Sequence, residues 1–213
     1  MPTTHSILRE APRLEAEQVI GRMTEQEFVD WCTADTWAEW VDGEVIVMSP
    51  VSTSHGRIKE FLARLIGTFV EEFELGEIFT EPVQARFARL KRRRSPDILY
   101  LSVERAARVK PHHIEGAPDL VVEVISRESI SRDRREKFAE YESAGVREYW
   151  IVDPLYESVE VYSLEKRKFI PIEEIQGAIH STVLPRFYIR PAWLWRPKLP
   201  KVSELLREMS AKR

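Results

Sequence analysis

The stretch "APDLVVEVIS", Ala117 to Ser126, constrains the fold more than any other segment. Leu120, Val121, Val122, Val124 and Ile125 are the bulky, mostly β-branched residues of a strand covered on both faces, so the chain must supply a layer on each side. Glu123 stands in their midst. A carboxylate stranded in an apolar interior costs several kcal/mol unless something pairs with it. The strand therefore poses a chemical question as well as a structural one: what accompanies Glu123?

The flanking segments say which layers are available. Thr24 and Glu27 in "MTEQEF" form a capping box that opens a short helix. "AEWVDGEVIVMSP" reads as a hairpin, with Asp42-Gly43 supplying the positive φ angles of its turn. From Ser54 to Glu74, Ile58, Phe61, Leu62, Leu65, Phe69, Val70 and Phe73 form one wide apolar helical stripe, with Gly76 as its stop. Strands follow at "EIFTEPVQARFA" and "SPDILYLS", separated by the basic run "RLKRRR". A second helix is expected over Asp133–Ala144, with an Asp133–Glu136 capping box and Gly145 as a left-handed C-cap. "REYWIVDP" is a further strand, "SVEVYSLEKRKFIPI" a hairpin turning near Glu165–Arg167, and "LPRFYIRPAWLW" an edge segment. This order predicts an α/β (α+β) fold with a central mixed β-sheet flanked by helices and extra antiparallel hairpins.

The 213 residues suit one domain over residues 24–196, with an N-terminal extension (1–23) and a helical C-terminal tail (197–213). The net charge of −3 excludes a polycation that coats nucleic acid, so any such contact must be a local patch. Cys32 is the only cysteine, which excludes an intrachain disulfide and a cysteine-rich zinc site. A reducing, cytoplasmic setting is expected. No apolar run is long enough to span a membrane, and the N-terminal stretch lacks a signal peptide's apolar core.

A second strand also carries an acid where burial is expected. "SPDILYLS" opens with Asp97, and Asp119 shares the strand face of Glu123. Two hairpin-linked strands can bring Asp97 and Glu123 within a few ångström. Like charges that close resist joint ionisation unless a cation lies between them, and oxygen ligands select a hard ion, Mg²⁺ or Mn²⁺. Plainer readings stand beside this one. Glu123 could pair with Arg127 or Arg134, Asp97 could be a solvated turn residue, and Asp119 could end the loop before its strand.

Together, "AEWVDGEVIVMSP…H", "SPDILYL", "APDLVVEVIS…D…K…Y…GVREYWIVDP" and "STVLPRF" resemble the Uma-type restriction endonucleases of the PD-(D/E)XK nuclease superfamily. The resemblance spans about residues 24 to 190. It implies a restriction-endonuclease-like core and Mg²⁺-dependent hydrolysis of phosphodiester bonds. Asp97 matches the superfamily's PD aspartate and Glu123 its second acid. The usual lysine two residues later is replaced by Ile125; in the Uma-type pattern Lys137, on the following helix, takes its place. His55 matches a further family position, and Glu39 and Glu44 match less closely. The implied ion is held by Asp97, Glu123 and the Val124 carbonyl, with Asp119 as an auxiliary. On residue grounds alone, Lys137 could equally be a solvated helix lysine and His55 a hydrogen-bonded core histidine.

Two arginine clusters could meet an anionic polymer: Arg92, Arg93 and Arg94 in the basic run, and Arg127 and Arg134 before the second helix. A solvated loop explains the first equally well. The expected function is metal-dependent DNA endonuclease, acting with DNA as partner. The alternative is an inactive nuclease-fold protein that binds DNA or a protein partner, and a hydrolase of smaller phosphate esters is a third reading. The late aromatics Phe187, Tyr188, Trp193 and Trp195 suggest a homodimer interface.

Overall fold

The strand Leu120–Val124 is buried at every position, and the rest of the chain is arranged around it. The computed structural model describes residues 17–33, 35–48, 50–126 and 132–211. In chain order the first elements are β1 (Glu17–Arg22), α1 (Glu25–Trp31), β2 (Ala38–Val41), β3 (Glu44–Met48) and α2 (Thr53–Glu72). Next come β4 (Gly76–Thr80), β5 (Ala85–Phe87), β6 (Arg92–Arg94), β7 (Ile98–Ser102), β8 (Val109–Lys110), β9 (His113–Glu115) and β10 (Leu120–Val124). The chain continues with α3 (Phe138–Ala144), β11 (Glu148–Asp153), β12 (Ser158–Glu165) and β13 (Lys168–Pro171). It closes with β14 (Ile179–His180), β15 (Tyr188–Ile189) and α4 (Val202–Ala211).

The central sheet has six strands in the order β13-β12-β11-β10-β7-β4. It is mixed: β10 runs parallel to β11 and antiparallel to β7. A second sheet of seven strands has the order β1-β3-β2-β6-β5-β9-β8. Alternation sorts the central strands' side chains between two cores. Ile98, Leu120, Val122, Val124 and Trp150 pack against the α2 stripe and against Leu205 and Met209 of α4. Leu99, Val121, Ile125 and Tyr149 pack against Ala85 and Phe87 of the second sheet and Tyr141 of α3. Glu123 shares the parity of Val121 and Ile125, so it points to the side of the second sheet and α3.

Local chemistry accounts for most of the boundaries. Thr24 and Glu27 form the reciprocal capping box on α1, and Asp42 (φ 50°) and Gly43 (φ 92°) make the β2–β3 turn. Lys166 and Arg167 adopt positive φ between β12 and β13. Gly145 caps α3 in the left-handed region at φ 86°.

Several expectations need correction. Glu74, not Gly76, takes the left-handed conformation after α2 (φ 52°). Gly76 instead begins β4, where a Cβ would lie 2.0 Å from the Leu101 carbonyl oxygen, so close backbone approach demands glycine there. Only the first half of the basic run is an exposed turn: Arg89–Lys91 join β5 to β6, whereas Arg92–Arg94 form β6 between β2 and β5. β7 and β10 are neighbours but not a hairpin; the chain between them makes β8 and β9 of the other sheet. Asp133 does not cap a helix: a π-type turn, Arg132–Lys137, leads into α3 with Asp133 buried inside it. The segment read as an extension contributes β1, which pairs with β3.

The late aromatics are core residues. Phe187, Tyr188 and Trp193 are buried, Trp195 packs against them partly exposed, and Phe187 meets Phe69 of α2 edge-on at 5.0 Å. They close the α2 layer within the chain, which removes the reason for expecting a homodimer. Among the described residues no helix is long and apolar enough to cross a membrane.

Candidate active site

β7 and β10 pair with Val122 opposite Ile98. One residue beyond, the ladder gives way to a side chain: the Val124 amide donates to Asp97 Oδ2 at 2.7 Å. Asp97 immediately precedes β7, so this bond holds its carboxylate against the end of β10 that carries Glu123. A residue's N–H and C=O leave a strand on the same edge, so the Val124 carbonyl emerges beside Asp97. His55 reaches Asp97 from the first turn of α2, with Nε2 3.1 Å from Oδ1. Its Nδ1 is buried with no hydrogen-bond partner among the described residues.

Glu123 is gripped from α3 and the turn before it. Lys137 Nζ donates to Glu123 Oε1 at 2.9 Å, and the Tyr141 hydroxyl donates to the same oxygen at 2.7 Å. Lys137 and Tyr141 lie four residues apart, one helical turn, so one face presents both. Lys137 Nζ also stands 3.1 Å from Asp133 Oδ1 and 3.9 Å from Glu39 Oε1. Burial raises the Glu123 pKa; Lys137 opposes the shift, while the charges of Asp133, Asp97 and Glu39 add to it. Burial, and then the charge on Glu123, also lifts the Tyr141 hydroxyl far above its usual value, so it stays a donor.

Behind the lysine lies a buried ion network. Arg94, fully buried, donates to Glu39 Oε2 at 2.7 Å and straddles Glu140 with Nε and Nη2 at 2.7 and 2.8 Å. The Ser95 amide donates to the other oxygen of Glu39 at 3.0 Å. Burial works against the Arg94 charge, but Glu39 and Glu140 more than offset it and raise its pKa. The second sheet is thus tied through Arg94 and Glu39 to the lysine that meets the first.

Of the residues singled out in the sequence, Asp97, Glu123, Lys137, His55 and Glu39 come together here, with Val124 as their backbone neighbour. Others do not. Glu44 lies at the far end of the hairpin, half-exposed, on Arg22. Asp119 is buried four residues before Glu123 and accepts from the Ser102 amide and from Arg147, with Arg105 also 3.2 Å away; it closes the opposite end of the strand. Arg93 and Arg94 are turned into the protein, Arg93 onto Glu25 and Arg94 as above, so they are not free for phosphate. Arg92 pairs with Glu140, and Arg134 with Asp153 and Glu160. Arg92, Arg93 and Arg94 balance acids inside the protein because β6 is an interior strand. Arg127 lies outside the described residues. Asp133, Tyr141 and Glu140 were missed as site residues, and Arg94, expected to meet nucleic acid, is instead an internal counter-ion. The i, i+4 spacings of Asp133, Lys137 and Tyr141 were the available signal; nothing local marks Arg94.

The comparisons with known proteins follow the same lines. The model of the Uma2 family, described as "Putative restriction endonuclease", matches residues 25–190. The chain belongs to the Uma2 family. A Synechocystis relative, "Uncharacterized protein sll1609", is 25% identical over 126 residues, covering 59% of this chain and 71% of its own. A crystal structure from Anabaena variabilis, described as "a putative nuclease belonging to DUF820", superposes with a TM-score of 0.67 at 18% identity. It covers 81% of this chain and 97% of its own, which establishes a shared fold.

A divalent ion is implied by this Uma2 family membership, and the donor set can be tested for it. Among the described residues, no three His, Cys, Asp or Glu side chains converge to hold an ion by themselves. Mg²⁺ does not require that: it keeps several waters and is commonly bound through one or two carboxylates plus substrate phosphate. Asp97 and Glu123 supply two hard oxygen donors, and burial together with nearby acids makes the negative charge on Glu123 costly. A dication relieves that cost. The residues present fit the ion.

Proposed function

We propose that this protein is a divalent-metal-dependent endonuclease that hydrolyses DNA phosphodiester bonds. The observation that carries this reading is that Asp97, just before β7, is held on the Val124 amide next to Glu123 of β10, with the Lys137 ammonium against Glu123. Family membership supports nuclease chemistry in general, and restriction-endonuclease-like proteins generally use divalent metals. Asp97, Glu123 and the Val124 carbonyl would hold the ion, Mg²⁺ or Mn²⁺. Bound there, it supplies Lewis acidity, lowering the pKa of a water and drawing charge from the scissile phosphate.

The chain's own side chains do the rest. His55 and the Val124 amide fix the orientation of the Asp97 carboxylate. Tyr141 fixes that of Glu123. Lys137 orients the attacking water and offsets charge on the phosphate as it grows in the transition state, in a site where burial strengthens that effect. Glu39 and Asp133 hold the lysine on the side away from Glu123. The lysine's position favours an active enzyme over an inactive relative, because the cation absent at Ile125 is supplied from the turn before α3.

The test is cleavage of supercoiled plasmid with Mg²⁺ or Mn²⁺, alongside an Asp97→Asn variant prepared identically. Metal-dependent nicking that disappears with Asp97→Asn supports the proposal. Nicking that survives the substitution, or that persists in chelator, overturns it.

A further inference from the structure

The Asp97–His55 pair does not end the polar chain on α2. Lys59 lies one helical turn after His55 and pairs with Glu81, at the end of β4. Burial, then the charge on Asp97, raises the Glu81 pKa, while Lys59 and His55 oppose the shift; Glu81 therefore lies within electrostatic reach of the catalytic carboxylate. Both members of the pair keep some exposure, 21% for the Lys59 side chain and 13% for Glu81. The pair is thus mostly buried yet still reachable from solvent. It borders a cleft of about 280 Å³ lined by Lys59, Glu81, Trp37, Thr36, Pro82 and Asp35. That volume lies near the lower end of small-ligand sites, which run from about 300 to 1,000 Å³. It suits one nucleotide and not a groove-filling helix.

We propose that this cleft is a nucleotide subsite: Lys59 binds the backbone phosphate next to the scissile one, Trp37 carries the attached base, and Glu81 holds Lys59 until the strand arrives. The subsite rests on the nuclease reading for its substrate and stands on its own geometry for its binding. The residue types suit the ligand. An ammonium binds phosphate as a compact point charge, and an indole gives a base a sequence-tolerant stacking partner. Glu81 excludes adventitious anions by occupying the ammonium, and it repels a phosphate that has not displaced it. The cleft thus extends the catalytic centre along the strand by way of a single helix face, with His55 on Asp97 and Lys59 one turn on.

The discriminating variant is Glu81→Gln, nearly isosteric and so tolerant of folding. A merely structural pair predicts that breaking it leaves DNA affinity unchanged. A holding role predicts that Glu81→Gln binds DNA several-fold more tightly. The probe is a short fluorescein-labelled single-stranded oligonucleotide, followed by anisotropy in chelator across a salt series, with melting curves confirming that each variant is folded. Lys59→Gln is expected to weaken binding and lower the slope of log K against log salt by about 0.7, one phosphate contact. Trp37→Leu is expected to weaken binding with the slope unchanged. Unaltered affinities in both Glu81→Gln and Lys59→Gln overturn the subsite, whatever the cleavage assay shows. If the expected affinities appear but the wild-type protein cuts no DNA, the subsite stands and the nuclease reading falls. If the wild-type protein binds no oligonucleotide, the subsite falls, and the plasmid assay alone decides the nuclease reading.

Discussion

Lys137 Nζ lies 2.9 Å from Glu123 Oε1, with both side chains almost wholly buried although they are 14 residues apart in the chain. The strand offers Ile125 where the superfamily usually has its lysine, and the turn before α3 returns the cation to the carboxylate. Lys137→Ala is therefore expected to reduce metal-dependent cleavage by about 100- to 1,000-fold, the range for loss of one preorganised electrostatic donor. Initial rates of plasmid nicking check this, and near-wild-type rates would remove Lys137 from the mechanism.

Tyr141 presents the cleanest single-atom test of how Glu123 is held. Tyr141→Phe keeps the ring in its edge contacts with Phe87 and Tyr149 and removes only the hydroxyl. A hydrogen bond to a charged group contributes about 1.5–3 kcal/mol, so urea denaturation is expected to show a loss of that order. Cleavage falls as well, because one of the two donors that orient Glu123 is gone. A stable variant with unchanged activity would contradict the assigned contact.

Arg94 links the second sheet to α3 from a fully buried position. Arg94→Met leaves Glu39 and Glu140 facing an apolar side chain, and breaking a buried ion pair from one side typically costs about 3–5 kcal/mol. Arg94→Lys rescues little, since an ammonium cannot span Glu140 with two nitrogens while also reaching Glu39. Chemical denaturation of the two variants should place both well below the wild-type protein.

Acid should unfold the protein through the same network. Burial pushes the Glu140 carboxyl up, but hydrogen bonds and charge from Arg94 and Arg92 outweigh it and hold its pKa below the ordinary 4.5. A carboxyl depressed in the folded state contributes stability that is complete above its unfolded value. That contribution is lost as pH falls from about 4.5 through the lower folded value. Melting temperature should therefore drop once pH falls below 4.5. Glu140→Gln should start lower and show a shallower fall over that window.

A bound ion should be visible without any catalysis. A ligand that binds only the folded state stabilises it by about 2.7 kcal/mol at a hundred times its dissociation constant. Mn²⁺ is expected to raise the melting temperature of the wild-type protein and to leave Asp97→Asn unmoved. Equal shifts in both proteins would place the ion elsewhere.

The elements themselves were legible because their causes are local. The run around Val122 must be a doubly covered strand, Asp42-Gly43 must turn, and the Ile58–Phe73 stripe must lie on a core as a helix. Each follows from side-chain periodicity or from a φ angle that few residues accept. The burial of Glu123 was legible for a related reason: a carboxylate inside an apolar strand violates the local pattern and demands partners.

What accompanies each charge was decided by the tertiary structure alone. Arg92, Arg93 and Arg94 look like a solvated basic run until β6 is inserted between β2 and β5, where they become counter-ions for Glu140, Glu25 and Glu39. Glu39 and Glu44 are near-equivalent as text, yet one is buried beside Lys137 and the other rests on Arg22 near solvent. Asp119 shares the strand face of Glu123 and still serves only the opposite end of it. Periodicity fixes which way a side chain leaves its own backbone. The energy of a buried charge depends on groups a few ångström away, and those come from strands and turns that sequence spacing does not order.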